Sequence, residues 1–358
     1  MKPSIENAKP TLGRSGSFWP ARMTISWKKN VSIHWLLIKF SQSLDKLETL
    51  LLCKLLAACI SSHMHCLKRF WAVILVIVAV LSLPACSVRQ HLLRQAADEL
   101  SQQSVEEEDI GLAREASAFY LKVSEALLRS LPQHMGLAQS VTSGLTQYAY
   151  AFLSLEADRV ESHNLQQAQV LRERAARMFE RAKQQGMRAL MLNDPGLSKS
   201  LASSSANTPL PLQPHAIGLA YWTAAAWGGQ ISLSTDSPEV VADLPAAAAL
   251  AHKAWLANPA YGEGALASLM GTLELARPGG SRERALRYFD QAIEFSQGQT
   301  PGPWVAKAEG WAVDQQDRQA FETWLHRAIQ VSSGRRDLSS QIMRERAQWL
   351  LSQVDTIF

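Results

Sequence analysis

The chain has 358 residues, with 36 Lys and Arg against 32 Asp and Glu, which gives a formal net charge of +4. The basic surplus lies at one end: residues 1–85 hold 11 basic and 3 acidic side chains, so the remainder carries −4. Basic residues form no stripe with interleaved aromatic side chains, and nothing in the composition indicates nucleic-acid binding.

Residues 64–86 have the features of a bacterial lipoprotein signal peptide. Lys68 and Arg69 supply the positive region, and residues 71–83 supply an apolar core. An alanine then precedes Cys86, the cysteine that would carry lipid. This order of charge, apolar run and small residue is the pattern of a secretory signal. The pattern predicts lipidation at Cys86 and a membrane-anchored protein outside the cytoplasm.

The position of this signal predicts the domain organisation. A signal peptide begins its precursor, so we expect residues 1–63 to be an upstream extension or an unusual leader. Residues 64–85 are then the signal peptide, and residues 86–358 form a single helical domain. An uncleaved membrane anchor and a buried core helix are the alternatives, but the apolar run is shorter than the roughly 20 residues of a membrane span.

The cysteines agree with a lipoprotein. All of them lie at or before the predicted cleavage site, namely Cys53, Cys59, Cys66 and Cys86. A mature chain would keep only the lipidated one, so we expect neither a disulfide framework nor a thiolate metal site. Ser87 follows that cysteine instead of an aspartate. By analogy with lipoprotein sorting in enteric bacteria, this favours the outer membrane over the inner one.

The remainder of the chain predicts an all-α protein. Its segments are rich in Ala, Leu, Arg, Glu and Gln at helical spacing, and none alternates apolar and polar residues with β-branched enrichment. After a polar, helix-compatible stretch over 87–104, the predicted helices are 110–130, 134–155, 165–187, 195–204, 213–228, 244–257, 262–276, 281–296, 303–314, 317–332 and 337–354.

A repeated pattern of small and large residues indicates helix pairs of the tetratricopeptide type. Three segments carry it closely: Ala175, Phe179 and Ala182; Ala247, Ala251 and Ala254; and Ala285, Phe289 and Ala292. Ala320 and Trp324 continue it, with Ala328 one place late. The steps between the last three segments are close to the tetratricopeptide period of about 34 residues. Degenerate repeats of this kind are favoured over a plain bundle, and stacked pairs leave a concave binding surface.

One part of the chain is distinctive. A tyrosine and two tryptophans precede a glycine pair that we expect to end a helix, because glycine permits a positive φ there. Farther along lie Asn258-Pro259, a Tyr-Gly-Glu-Gly segment, Leu273-Glu274 and Pro278-Gly279-Gly280. The residues of interest are Tyr221, Trp222, Trp227, Gly228, Gly229, Asp236, Tyr261, Gly262, Glu263 and Glu274.

This ordered set resembles the T component of TRAP-associated transporters, the TatT family of periplasmic lipoproteins. The resemblance covers about 83–335 and is strongest across 218–310. It implies helix pairs of the tetratricopeptide kind, a homotrimer, a partly apolar enclosed ligand path, and pairing with the periplasmic solute-binding protein of a TRAP transporter. The leader and Pro84, at a position where a small or slightly apolar residue is more usual, depart from the family pattern.

The ten residues are candidates for ligand lining or partner contact, and each has a structural alternative. The aromatic side chains could instead fill the core, and the glycines and Asp236 could serve turns. Glu274 lies in a helix that buries leucines, so its carboxylate needs a partner such as Arg277 or Arg284.

No catalytic constellation appears in the sequence. The histidines are scattered without metal-ligand spacing, and no nucleophile, phosphate or dinucleotide motif is present. We therefore expect no metal, no cofactor and no enzymatic activity. A general tetratricopeptide adaptor for envelope assembly and a hydrolase on a helical scaffold are the rival interpretations.

Overall fold

The structure is a computed structural model and describes Trp71 and residues 73–74, 84–102, 109–202 and 212–358. Within these residues all regular elements are helical and no strand occurs, which confirms the all-α prediction. The predicted leader and most of the predicted signal peptide lie outside the described residues, so the boundary at Cys86 stays a prediction. The backbone of Cys86 itself belongs to the first helix.

Apart from Pro84, the helices belong to one compact unit, Ala85–Phe358. They are α1 (Pro84–Gln102), α2 (Ile110–Ser130), α3 (Met135–Tyr148), α4 (Leu155–Val160), α5 (Leu165–Asn193), α6 (Leu197–Ala202), α7 (Ile217–Ser232), α8 (Pro238–Val241), α9 (Leu244–Ala257), α10 (Ala265–Ala276), α11 (Arg282–Phe295), α12 (Pro301–Lys307), α13 (Arg318–Ser332), α14 (Leu338–Ser352) and α15 (Val354–Ile357). π-helical segments Ala149–Ser154 and Ala308–Ala312 follow α3 and α12, and a 3₁₀ turn, Pro214–Ala216, precedes α7. In this part of the chain no helix has the length and apolar character that crossing a membrane requires.

Side-chain caps set several of the helix starts that the sequence predicts. Asp109 Oδ1 accepts hydrogen bonds from Gly111 N at 2.8 Å and Leu112 N at 3.1 Å, at the start of α2. Ser281 Oγ accepts one from Arg284 N at 3.2 Å, at the start of α11. Such caps satisfy backbone donors that have no partner within the helix. Both helices consequently begin within one residue of their predicted starts.

The predicted end of α7 at the glycine pair is wrong. The helix runs through Gly228 and Gly229 to Ser232. A Cβ atom at Gly229 would lie 2.8 Å from the ring of Phe179 on α5. Glycine is therefore required here for close approach of α5 to α7, and neither glycine has a positive φ.

The repeat prediction places the correct residues in the interhelical contacts. Helices α3 and α5, α7 and α9, α10 and α11, and α12 and α13 pack together as successive pairs. The second helix of each of the first three pairs carries the predicted motif, and its members are buried: Ala175, Phe179, Ala182, Ala247, Ala251, Ala254, Ala285, Phe289 and Ala292. Small residues let the backbones approach, and the phenylalanines fill the space between neighbouring helices.

The motif in α13 is shifted by one residue from its predicted position. Phe321, Leu325 and Ala328 are each fully buried. Ala320 and Trp324, which the pattern assigns to the core, are only half-buried. Ala328 therefore has the spacing of the other motifs when the motif in α13 begins at Phe321 instead of Ala320.

The last long helix packs against the first ones. Ile342 of α14 shares an apolar cluster with Ala113, Phe152 and Leu155. Arg346 of α14 adds polar contacts, with Nη1 2.9 Å from Asp158 Oδ2 and Nη2 2.6 Å from Glu309 Oε1. Helix α14 thus contacts elements from the beginning of the helical unit, and the Arg346 side chain that joins them is only 12% exposed.

Tyr150 and Glu309, two groups that interact electrostatically with Arg346, lie in the two π-helical segments. Burial by itself lowers the pKa of Arg346, but the charge of Glu309 and its hydrogen bond outweigh that effect and raise it. Burial raises the pKa of Tyr150, and Glu309 adds to the rise. Both side chains therefore keep their protons at neutral pH, and the arginine remains the cation that holds the two acidic residues together.

Candidate functional site

Three of the predicted aromatic residues come together between α7 and the loop before α10. The ring of Tyr221 is 4.9 Å from that of Trp222 in an edge-to-face arrangement and 5.3 Å from that of Tyr261. All three residues are half-buried. Aromatic pairs in these geometries attract one another beyond their buried area. The sequence predicted the residues individually, and the structure joins them.

Gly218 brings two polar groups to the same place. A Cβ atom at Gly218 would lie 2.3 Å from Gln139 Oε1 and 2.6 Å from the Tyr261 hydroxyl. The missing side chain therefore lets an amide from α3 and a phenol from the α10 loop both approach α7. Gln139 was not predicted, since a lone glutamine in a helix carries no sequence signal. We call Gln139, Gly218, Tyr221, Trp222 and Tyr261 the Tyr261 cluster.

The hydroxyl groups of this cluster are hydrogen-bonding groups and not anions. Burial raises the pKa of Tyr221. Burial also raises the pKa of Tyr261, and the hydrogen bond with Trp222 opposes that rise only in part. The phenols stay protonated at neutral pH. The cluster can thus stack against an apolar group and exchange hydrogen bonds with one polar end of it.

The loop that carries Tyr261 has an uncommon backbone. Gly262, Glu263 and Gly264 have φ angles of 65°, 51° and 93°. The left-handed conformation costs an ordinary residue such as Glu263 roughly 1 kcal/mol or more. At Gly264 a Cβ would also lie 2.2 Å from Ala292 O. These three residues delay the start of α10, which the sequence predicts at 262, and they orient the tyrosine.

Trp227 lies in a different environment from the other aromatic candidates. Its Nε1 donates a hydrogen bond to Asp243 Oδ2 at 3.1 Å, and Lys183 Nζ lies 5.3 Å from the ring centroid. Trp227 is 8% exposed, and Lys183 is 3.7 Å from the same carboxylate. The contacts of Trp227, like that of Gly229 with Phe179, join α7 to its neighbours.

The predicted acidic residues differ in solvent exposure. Asp236 lies exposed in the turn before α8, and Glu263 is exposed in the α10 loop. Glu274 is buried, and its Oε1 accepts hydrogen bonds at 2.8 Å from both Arg277 Nη2 and Ser281 N. The expected arginine partner is thus confirmed.

The partners of Glu274 determine its ionisation. Burial raises the pKa of Glu274, but the hydrogen bonds from Ser281 and Arg277 and the charge of Arg284 outweigh burial and lower it. The carboxylate remains ionised at neutral pH. It holds the turn between α10 and α11, where a Cβ at Gly280 would lie 1.8 Å from Glu274 O.

Within residues 84–102, 109–202 and 212–358, no group of three or more His, Cys, Asp or Glu side chains is arranged to hold a metal ion. The arrangement of the Tyr261 cluster supports binding by stacking and hydrogen bonding.

Comparison with known protein families gives a match over most of the chain. Residues 106–358 match the family model described as TRAP transporter T-component. The chain belongs to this family. The match begins shortly before α2 and contains every helix pair and the whole Tyr261 cluster. The family resemblance stated from the sequence is confirmed, and the T-component is an auxiliary part of a TRAP transporter system.

An uncharacterized protein of Treponema pallidum (strain Nichols) is similar to this T-component. The two are 23% identical over 263 residues, which is 71% of this chain and 81% of the other.

Proposed function

We propose that this T-component is a lipid-anchored periplasmic protein that binds a small apolar ligand and docks the solute-binding protein of a TRAP transporter. The observation that carries the proposal is the family match over 106–358, which contains the Tyr261 cluster. Membership of a transporter family supports a positioning role without catalysis. The anchor would hold the helical unit at a membrane, and contact with the partner would pass ligand between binding sites.

The Tyr261 cluster is the ligand site that we propose. Its three aromatic residues are half-buried, with the Tyr221 ring packed against the other two rings, and Gln139 Oε1 and the Tyr261 hydroxyl lie together beside Gly218. Sites of this composition, mostly aromatic with few polar groups, suit small apolar molecules. Of the remaining candidates, Trp227, Gly228, Gly229 and Glu274 support the site through helix packing.

A matched pair of glycine variants tests this ligand site. Gly218→Ala places a methyl group against Gln139 and Tyr261, whereas Gly302→Ala adds a methyl group with nothing within 4 Å. We expect the dye anilinonaphthalene sulfonate, as an apolar probe, to bind several-fold more weakly to Gly218→Ala than to wild type. Equal dye binding by the two variants would argue against this location.

Two exposed acidic residues, Asp236 and Glu263, are the partner contacts that we propose. Both side chains are exposed. Gly262 and Glu263 are neighbours in the loop with positive φ angles before α10. Purification of the T-component from native membranes should recover a TRAP solute-binding protein. The double variant Asp236→Asn with Glu263→Gln should recover less of it. Repeated purification of wild type without any such protein would contradict the docking proposal and favour a general envelope adaptor.

Lipidation of Cys86 is the anchor that we propose. The chain should incorporate a fatty-acid analogue during growth, and Cys86→Ser should abolish that labelling. Membrane fractionation would then show whether the labelled protein lies in the outer membrane, as Ser87 suggests. Labelling that persists in Cys86→Ser would exclude this anchor. The homotrimer implied by the family resemblance also stays a prediction, which the mass of the extracted protein tests.

A further inference from the structure

Helix α2 carries an apolar stripe on its solvent side. Leu112, Phe119 and Val123 are 52%, 75% and 39% exposed, and Ala116 and Ala126 are exposed between and beyond them. The steps between these residues are 4, 3, 4 and 3, the spacing of a helix–helix seam. At about 100° per residue they fall within about 80° of arc over a length of about 21 Å. The stripe is therefore continuous.

The opposite face of α2 already has its partners. Leu121, Ser124 and Leu128 are buried against the rest of the unit. Tyr120 donates a hydrogen bond to Leu100 O along the border between the two faces. Packing within the compact unit thus accounts for one face of the helix and leaves the apolar stripe uncovered.

The charges beside the stripe indicate what covers it. Glu115, Lys122 and Arg129 are exposed and follow one border of the stripe, with the acidic residue toward the N-terminus and the basic residues toward the C-terminus. In an antiparallel pair of identical helices, this border faces itself, so Glu115 of each copy approaches Lys122 or Arg129 of the other. In a parallel arrangement, it would face the buried and half-buried border of Ala113 and Tyr120 instead.

We propose that α2 is the contact surface for a second copy of this chain, in a two-fold, antiparallel pairing centred near Phe119. The charges along this surface are complementary to themselves in a two-fold arrangement, as a two-fold interface requires. A three-fold assembly joins two different patches, so this contact is separate from any trimer. The inference uses only α2 and does not rest on the proposed ligand or transport partner.

The size of the stripe sets the expected strength. A stable interface of standard size buries about 800 Å² per partner. A single helical stripe supplies less, so we expect an association that depends on concentration. Anchoring of two copies in the same membrane would raise their effective concentration and favour the pair.

Cysteine crosslinking of the full chain in membranes tests the two-fold axis. Phe119→Cys places identical residues near the axis, and we expect oxidation to give a covalent product of twice the mass. Leu165→Cys is the control, because Leu165 is 71% exposed but lies on α5. Absence of the product for Phe119→Cys, or equal amounts for both variants, would overturn the proposal.

Charge reversal tests the antiparallel direction. In detergent extracts, Glu115→Lys should weaken association about tenfold, and the further change Arg129→Glu should restore part of it. Lys122 is left unchanged, because its Nζ lies 3.9 Å from the buried carboxylate of Glu125. Both substituted side chains are exposed, and circular dichroism would verify that the helical fold is unchanged. Failure of the second change to restore association would contradict the antiparallel pairing.

A lipid surface is the competing occupant. Phe119→Ser should lower the measured mass of the extracted assembly while leaving its binding to phosphatidylglycerol vesicles unchanged. The reverse result, with weaker vesicle binding and unchanged mass, would assign the stripe to the membrane and overturn the proposal.

Discussion

Two glycine-dependent contacts in this T-component differ in what approaches the glycine. Around Phe289, Cβ atoms at Gly271 and Gly310 would lie 2.8 and 3.0 Å from the ring, and the phenylalanine is fully buried. Around Gly218, the approaching groups are Gln139 Oε1 and the Tyr261 hydroxyl, and these residues are half-buried.

The difference separates a contact of the core from the ligand site that we propose. The Phe289 contact is apolar and closed, so its whole contribution is to the free energy of unfolding. The side chains of the Tyr261 cluster are only half-buried, and its loop holds Glu263 at a positive φ. A protein retains strained, partly open groups of this kind at sites of function more often than in its core. Substitutions in the two regions should accordingly affect different measurements.

The largest effect should come from removing the ring of the closed contact. Phe289→Ala leaves a cavity between α10 and α11 and should lower the free energy of unfolding by about 3–5 kcal/mol. Urea unfolding measures this change. Leu165→Ala, at an exposed position, should change stability by less than about 0.5 kcal/mol. A similar small effect for both variants would show that the phenylalanine does not form the core described here.

Filling the glycine side of that contact should have a smaller effect. Gly271→Ala adds a methyl group against the Phe289 ring and should destabilise by about 1–3 kcal/mol through overpacking. Gly302→Ala meets no atom within 4 Å outside its chain neighbours, although Pro303 follows it in the helix, so it should destabilise less than Gly271→Ala. Thermal unfolding of the two variants compares them directly. Equal midpoints would mean that the ring moves away at little cost.

The contribution of the turn before α11 to the free energy of unfolding should depend on pH. Burial raises the pKa of Glu274, but the hydrogen bonds from Ser281 and Arg277 outweigh burial and hold the pKa below its ordinary value. The stabilisation from this carboxylate is therefore present above the ordinary pKa and is lost as pH falls through the folded-state pKa. Glu274→Gln should cost about 1 kcal/mol at pH 7. The difference from wild type should shrink on acidification.

Urea unfolding at neutral and acidic pH measures that difference. Glu283→Gln is the control, since its side chain is 89% exposed. A difference between wild type and Glu274→Gln that stays constant down to pH 3 would contradict the ionised pair with Arg277.

The smallest effect on stability, and the clearest on binding, should come from the open contact. In Gly218→Ala the gain in helix propensity offsets displacement of Gln139 and Tyr261, so unfolding should change by less than about 1 kcal/mol. Binding of anilinonaphthalene sulfonate should nevertheless fall several-fold. A large loss of stability with unchanged dye binding would show that Gly218, like Gly271, contributes to core packing and not to ligand binding.

The sequence predicted much of the helical framework because its signals are local. Caps such as Asp109 and Ser281 act within a few residues, and the alanine and phenylalanine motif repeats along single helices. Errors arose where a tertiary contact decided the outcome. Gly229 was expected to end α7, but its lack of a side chain instead permits the close approach of α5. In α13 the buried motif begins at Phe321 and not at Ala320.

Part of the candidate site was likewise predicted from local signals, and tertiary contacts decided the rest. Aromatic residue types and the Tyr-Gly-Glu-Gly segment marked Tyr221, Trp222 and Tyr261 from the sequence, and the family resemblance depended on their order. Gln139 could not be found this way, because its place beside Tyr261 results from the packing of α3 on α7. Trp227 has the same residue type as Trp222, but its hydrogen bond to Asp243 gives it a packing role.

The sequence by itself determined the all-α class, the repeated helix pairs and the family, since these depend on periodicity, caps and the order of motifs. The tertiary structure alone decided which aromatic residues meet, which glycines permit close approach, and which apolar residues of α2 remain uncovered. Those outcomes depend on contacts between residues far apart in the chain. Arg346 and Asp158, 188 positions apart and 2.9 Å from each other, are the clearest case.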